Sequence, residues 1–198
     1  MTKIKMCGLR RTEDIEYANK LLPDYIGYVF AEKSKRYISP EKALELTKLL
    51  DERIIPVGVF VNESTENIAS IVKIGAIKVA QLHGNESEED VMALKSMGIP
   101  VIRAFKISNR ADCEKADRTC ADYVLLDSGG GSGETFDWAL ISGIKRKFFL
   151  AGGITPENVG EAIERFAPYA VDASSCLEKD GFKDYNKMYD FARAVRKN

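Results

Sequence analysis

Cys7 and Asp127 are the two residues of this chain best suited to move protons at carbon and oxygen. A thiolate can take a proton from carbon, and a carboxylic acid can give one to a ring oxygen, where local fields bring their pKa values near the working pH. Cys7 stands in the β-rich run Lys3–Leu9 and Asp127 closes the run Tyr123–Asp127. Singly, neither is diagnostic: a free cysteine is most often a small buried hydrophobe, and a strand-end aspartate is often a helix cap. Lys5 shares a strand face with Cys7 by the period of two, and its charge there is expected to favour the thiolate.

Other polar residues gather at the same ends of such runs. Gln81 and the sole histidine, His83, share one strand face, where either could simply line the barrel mouth; a role for His83 would be a minor, positioning one. Arg103 and the stretch from Asp172 to Ser175 complete the set. Gly152-Gly153-Ile154-Thr155-Pro156 makes a glycine loop opening onto a helix, and Ser174-Ser175 ends the last β-rich run. Backbone N–H groups in loops of this kind, with a helix dipole behind them, hold phosphate without a basic patch. Either loop alone reads as a plain turn, but the pair favours phosphate. Gly129–Gly133, followed by Glu134-Thr135-Phe136-Asp137-Trp138, reads as a glycine-hinged loop covering a substrate, its aromatics anchoring the next helix. Cys113 and Cys120 lie two helical turns apart and are expected to pack. No H-E-x-x-H, paired Cys/His set or strand-borne G-x-G-x-x-G occurs, so neither a metal nor a nucleotide cofactor is expected.

The elements that must position these residues alternate regularly. Strands are predicted at Lys3–Leu9, Tyr25–Phe30, Ile55–Val61, Lys78–His83, Pro100–Lys106, Tyr123–Asp127, Phe148–Gly152 and Ala170–Ser174. Amphipathic helices fall between them, among others at Ser39–Leu50, Ser64–Ile74, Glu86–Met97 and Pro156–Phe166. Ser39-Pro40 and Thr155-Pro156 each place a capping residue before a proline at the first helical position. Gly75 and Gly98 stand where helices should stop. Strand–helix alternation dictates a parallel sheet with right-handed crossovers, and eight units predict a closed (β/α)8 TIM barrel in one domain over residues 1–198. An open flavodoxin-like sheet would use about five strands and leave the rest unexplained.

Bulk composition narrows the function classes. The 198 residues are 45% hydrophobic and 30% charged, with a net charge of −1. That balance fits a globular chain and supplies no long-range field for nucleic acid or an anionic membrane. Met-Thr-Lys-Ile-Lys-Met-Cys lacks the apolar core of a signal peptide, and no run is long enough to span a bilayer. Four cysteines without a C-x-x-C pair predict free thiols in a reducing cytoplasm. Nothing in the sequence separates monomer from homodimer.

The assembled motifs resemble those of the phosphoribosylanthranilate isomerase family of tryptophan biosynthesis along essentially the whole chain. Lys5-Met6-Cys7-Gly8-Leu9 is similar to that family's opening Lys-x-Cys-Gly motif, and Lys33 through Pro40 to its second-strand loop. Val57–Val61, Gln81–Gly84, Leu125–Ser128, Gly131-Ser132-Gly133, Leu150–Val159 and Val171–Ser175 follow in the family's order. The resemblance implies a cofactor-free Amadori rearrangement of N-(5-phosphoribosyl)anthranilate, with the iminium ion as electron sink. It implies that Asp127 protonates the furanose ring oxygen and that Cys7 then removes the proton from sugar C2. It assigns the anthranilate carboxylate to Arg36, whose planar fork suits a planar anion. It assigns phosphate to Gly152, Gly153, Ser174, Ser175 and their neighbour Cys176.

Cys176 departs from the family's usual Ser-Ser-Gly. A cysteine held in a left-handed conformation would cost about 1–2 kcal/mol, so weaker phosphate binding is expected. Its strand neighbours the first, so Cys176 could lie near Cys7, and oxidation of such a pair would reversibly inactivate the enzyme, though this is the less favoured reading. Two other readings fit part of the pattern. A histidine-pathway aldose–ketose isomerase would share the phosphate loops but carry carboxylates at both catalytic strands. A non-catalytic sugar-phosphate sensor would have no use for Cys7 and Asp127.

Overall fold

The computed structural model describes residues 1–127, 138–141 and 143–197. Eight parallel strands close into a barrel in sequence order. They are β1 Lys3–Cys7, β2 Tyr25–Val29, β3 Ile55–Phe60, β4 Val79–Leu82, β5 Val101–Lys106, β6 Tyr123–Asp127, β7 Phe148–Leu150 and β8 Ala170–Ala173. Each predicted strand is present, most of them a residue or two shorter. β8 pairs with β1 in the register Lys5↔Asp172, which closes the barrel.

Side-chain alternation builds two cores from these strands. Val57, Val79, Ile102, Leu125, Phe149 and Ala170 point inward and form one buried cluster. Their outward neighbours, such as Met6, Ile26, Tyr28, Phe60 and Leu126, pack under the helices in a second cluster. Among the described residues the barrel is thus filled by side chains, with a cavity at its mouth. At the opposite end Tyr25 and Tyr169 share a hydroxyl hydrogen bond of 2.9 Å beneath Lys3, whose Nζ lies 5.2 Å from the Tyr169 ring centroid.

The helices are α1 Thr12–Leu21, α2 Pro40–Thr47, α3 Thr65–Lys73, α4 Glu88–Ser96, α5 Arg110–Arg118, α6 Val159–Phe166 and α7 Tyr185–Arg196. Ser39 and Ser64 cap α2 and α3, accepting from Lys42 N at 3.2 Å and Asn67 N at 3.3 Å. Gly75 and Gly98 follow α3 and α4 with φ of +85° and +77°, the left-handed turn expected of a helix stop. In α7, Met188, Phe191, Ala192 and Val195 are buried at the i, i+3, i+4, i+7 spacing of one helical face.

Two expectations for the helices need correction. Thr155-Pro156 does not start α6, which begins at Val159. Instead the Asn158 side chain closes a turn, accepting from Thr155 N and donating to Gly153 O, both at 2.8 Å. These bonds tie Thr155 into the glycine loop, while Thr155 Oγ1 accepts from Glu157 N at 3.3 Å, so Thr155 caps the turn that precedes α6 and not the helix itself. Cys113 is buried in α5, as expected, but Cys120 lies beyond the end of that helix and is exposed, its thiol 3.0 Å from Glu88 Oε2. The anticipated covering loop, Gly129–Gly133 with Glu134–Asp137, lies outside the described residues, as does Ser128. Trp138–Ile141, the next described backbone, forms a 3-10 turn.

Candidate active site

The C-terminal ends of the strands surround a cavity of about 920 Å³. Cys7, Arg36, Gln81, His83, Asp127, Gly152, Gly153, Ser174, Ser175 and Cys176 all line it. These ten predicted site residues are therefore brought to one mouth. Arg103 is not: β5 turns Ile102 and Ala104 inward, and Arg103 points to the helix side, paired with Glu88. Lys106 occupies the inward column of β5 and lines the cavity instead.

Cys7 is held tightly from behind. β2 carries Gly27 opposite it, and a Cβ on that glycine would stand 2.6 Å from Sγ. Gly27→Ala should push the thiol aside; with Cys7 as the base that the family resemblance implies, kcat should fall about 100-fold, the scale set by misplacing a reacting group by an ångström. A kcat within twofold of wild type, in steady-state assays of folded protein, would show that the thiol tolerates displacement. On the far side Ser174 Oγ donates to Cys7 O at 3.0 Å, so this serine fixes the end of β1.

Lys5 lies fully buried below Cys7, with Nζ 2.9 Å from Asp172 Oδ2. Burial pulls Lys5 down, but Asp172 and Cys7 together outweigh it and hold the ammonium above its ordinary value. Burial pushes the Cys7 thiol up, while Lys5 and Lys183 draw it back toward ionisation. The expected help from Lys5 is present, yet desolvation outweighs it, and the thiol titrates above its usual range.

Gln81 Nε2 and His83 Nδ1 are 3.0 Å apart, and His83 Nε2 lies 3.2 Å from Asp127 Oδ2. With the amide donating to Nδ1, the ring proton sits on Nε2 and is donated to the carboxylate. His83 thus joins Gln81 to Asp127 in one hydrogen-bonded row across the mouth.

Arg36 gives Nε and Nη2 to the two oxygens of Glu178, at 2.6 and 2.8 Å, with Nη1 outside that pair. This fork holds Arg36 above its ordinary value against partial burial. Glu178 belongs to a small hairpin, β9 Glu178–Lys179 and β10 Phe182–Lys183, that follows β8. From β10, buried Lys183 donates to Glu178 Oε1 at 2.7 Å and to Ser174 O at 2.9 Å. The hairpin therefore ties Arg36 to the last loop. Sequence reading missed it, because two-residue strands carry no periodic signal.

The two glycine-loop residues have φ of +79° for Gly152 and +70° for Gly153, a conformation in which a Cβ is strained. Cys176 is not in that region. It sits within a 3-10 turn, Ser175–Leu177, and is absent from the positive-φ residues. The anticipated backbone penalty at Cys176 does not exist, so its conformation gives no reason for weaker phosphate binding. Burial pushes its thiol up to about 11, so it stays protonated.

Among the described residues no cluster of three or more His, Cys, Asp or Glu side chains is arranged to hold a metal ion. No helix among them is long and apolar enough to cross a membrane.

Comparison with known proteins gives this arrangement a family. Residues 4–194 match the sequence model of N-(5'-phosphoribosyl)anthranilate (PRA) isomerase. The N-(5'-phosphoribosyl)anthranilate isomerase of Thermoanaerobacter sp. (strain X514) is 45% identical over 203 residues, covering 99% of this chain and 98% of that protein. The Streptococcus mutans enzyme of the same name is 42% identical over 200 residues, covering all of both chains. The crystal structure of phosphoribosyl anthranilate isomerase from Thermotoga maritima superposes with a TM-score of 0.93 at 38% identity, over 100% of each chain. A complex of such an isomerase with reduced 1-(o-carboxyphenylamino)-1-deoxyribulose 5-phosphate superposes at 0.90, with 37% identity over 100% of each chain. With its closed parallel barrel and full-length match, this chain belongs to the N-(5'-phosphoribosyl)anthranilate isomerase family of tryptophan biosynthesis.

Proposed function

We propose that the chain converts N-(5-phosphoribosyl)anthranilate to 1-(2-carboxyphenylamino)-1-deoxyribulose 5-phosphate, with Asp127 as general acid and Cys7 as general base. The observation that carries this reading is the meeting of both groups, from opposite sides of the barrel, at one cavity. Asp127 gives its proton to the ring oxygen, the C1–O bond breaks, and the anilino nitrogen's lone pair forms an iminium ion. The Cys7 thiolate then takes the C2 proton, and the electron pair moves into the C1–C2 bond to give the enolamine. His83 shares its hydrogen bond with Asp127 and fixes the direction from which the acid approaches.

The substrate's two anions go to opposite ends of the mouth. Arg36, steadied by Glu178, meets the anthranilate carboxylate through the face outside the Glu178 pair. Gly152, Gly153, Ser175 and Cys176 meet the phosphate, with Lys183 holding the last loop in place through Ser174. The phosphorylated sugar is the small-molecule partner, and the cytoplasm is the proposed site of action. The chain is proposed to act as one catalytic domain.

Turnover, followed by loss of anthranilate fluorescence, tests this reading; tight product binding without turnover would make the chain a sensor instead. The thiol gives a second check. Cys7 acts as a thiolate, so the rate falls as pH drops through its pKa, which burial has raised. Lys5→Met removes a positive charge from beside it and should move that limb further toward alkaline pH. Alkylation of Cys7 as a function of pH, resolved by mass spectrometry, measures the shift. An unchanged or lower midpoint would dismiss Lys5 as the source of the thiolate's stabilisation.

A further inference from the structure

Two buried side-chain acceptors have no hydrogen-bond partner among the described residues, Gln81 Oε1 and Asp172 Oδ1. Both residues line the cavity of the active site. A buried carboxylate oxygen left unpaired costs free energy, and where one persists at a ligand's site the ligand is the natural donor. The other oxygen of Asp172 is committed to Lys5 at 2.9 Å, which fixes the carboxylate in β8 and leaves Oδ1 to serve the cavity. β8 adjoins β1, and Asp172 pairs in register with Lys5, two residues before Cys7 on the same strand face. Oδ1 therefore belongs to the same mouth as the thiol, on the β8 side of β1, where the charges of Cys7, His83 and Asp127 all reach Asp172.

We infer that Asp172 is a further catalytic residue, whose Oδ1 accepts a hydrogen bond from the hydroxyl on the sugar carbon that Cys7 deprotonates and later takes that hydroxyl's proton. This deepens the isomerase reading and rests on it. After Cys7 has removed the C2 proton, the enolamine still carries the C2 hydroxyl. Asp172 accepts the hydroxyl proton, the O–H electron pair becomes the second bond of the C2 carbonyl, and the C1–C2 π pair takes a proton at C1 from the Cys7 thiol. Cys7 is returned as thiolate. Asp127 is one proton short, having protonated the ring oxygen, and Asp172 holds one proton too many. Transfer of that proton through water at the open mouth restores both carboxyl groups after product leaves. No proton is gained or lost, as an isomerisation requires.

Lys5 gives this role its poise. Paired with the ammonium, Asp172 is an anion able to receive the hydroxyl's hydrogen bond. Burial pushes its carboxyl up, so it is a better base than an exposed aspartate.

Two measurements on the full chain test the assignment. The first compares binding of the reduced product, which carries a C2 hydroxyl, with binding of its 2-deoxy analogue. Loss of the hydroxyl should weaken binding to the wild type about 10- to 100-fold, the range for a hydrogen bond to a charged group. In Lys5→Met/Asp172→Leu, which removes both buried charges together, the two ligands should bind alike. An equal loss in both proteins would assign Oδ1 to bound water and overturn the proposal. The second follows Asp172→Asn with substrate deuterated at C2. Slowed ketone formation without a primary isotope effect is expected, because C–H cleavage no longer limits the rate. A slowed reaction with the isotope effect intact would make Asp172 only a support for Lys5 and the thiolate. Failure of the wild type to convert the substrate would sink the isomerase reading itself, an outcome distinct from either.

Discussion

Asp127→Asn should lower kcat about 100- to 10,000-fold, the usual worth of a positioned acid or base, while leaving product affinity within a few-fold of wild type. The amide matches the carboxyl in shape and can still hydrogen-bond to His83 Nε2, so the mouth of the barrel should keep its form. What the amide cannot do is release a proton to the ring oxygen. The defect should therefore fall on kcat and not on KM, as expected for an interaction made only in the transition state. Steady-state kinetics with product titration separates the two parameters. A variant with near-normal kcat would mean that the ring opens by another acid, and His83 would be the first candidate.

Cys7→Ser should be as damaging, for a different reason. The hydroxyl is smaller than the thiol and fits the space left by Gly27, so packing is spared. Its proton, however, is far harder to remove, and the cost that burial already imposes on the thiolate would fall more heavily on an alkoxide. A loss of about 100- to 10,000-fold in kcat is expected, with product binding kept. Ring opening does not need the thiol, so the variant should still form the iminium ion when mixed with substrate, detectable as a rapid absorbance change before a stalled second step. Conversion at a wild-type rate would remove Cys7 from the mechanism. The two variants thus arrest the reaction on either side of the iminium ion.

Much of this arrangement is legible in the sequence because barrel strands write their orientation in a period of two. Lys5 with Cys7 and Gln81 with His83 share faces that alternation alone reveals, and both pairs line the interior as read. Alternation does not say which of two faces is inward when a strand is buried on both. That is how Arg103 was placed at the mouth, although its neighbours Ile102 and Ala104 hold the inner positions. The start of α6 misled for another reason. Thr155-Pro156 has the chemistry of a cap and does accept from Glu157 N, but only a turn follows it, and α6 starts after Asn158, whose side chain closes the glycine loop. The family pattern puts a glycine where Cys176 stands and so suggests a glycine conformation, whereas the 3-10 turn there accommodates an ordinary residue. Least legible were the polar partners drawn from distant segments. Neither the Arg36–Glu178–Lys183 chain nor the orphaned oxygen of Asp172 follows from any local pattern, since each depends on the closure of β8 onto β1.

The central claim is that one acid and one base, Asp127 and Cys7, carry out the isomerisation in succession at a shared cavity. Single-turnover conversion of N-(5-phosphoribosyl)anthranilate, followed by anthranilate fluorescence with hydrogen or deuterium at C2, tests it most directly. The account predicts turnover by the wild-type chain, slowed by deuterium, and its collapse in Asp127→Asn and in Cys7→Ser alike. Turnover that survives in both variants would contradict it.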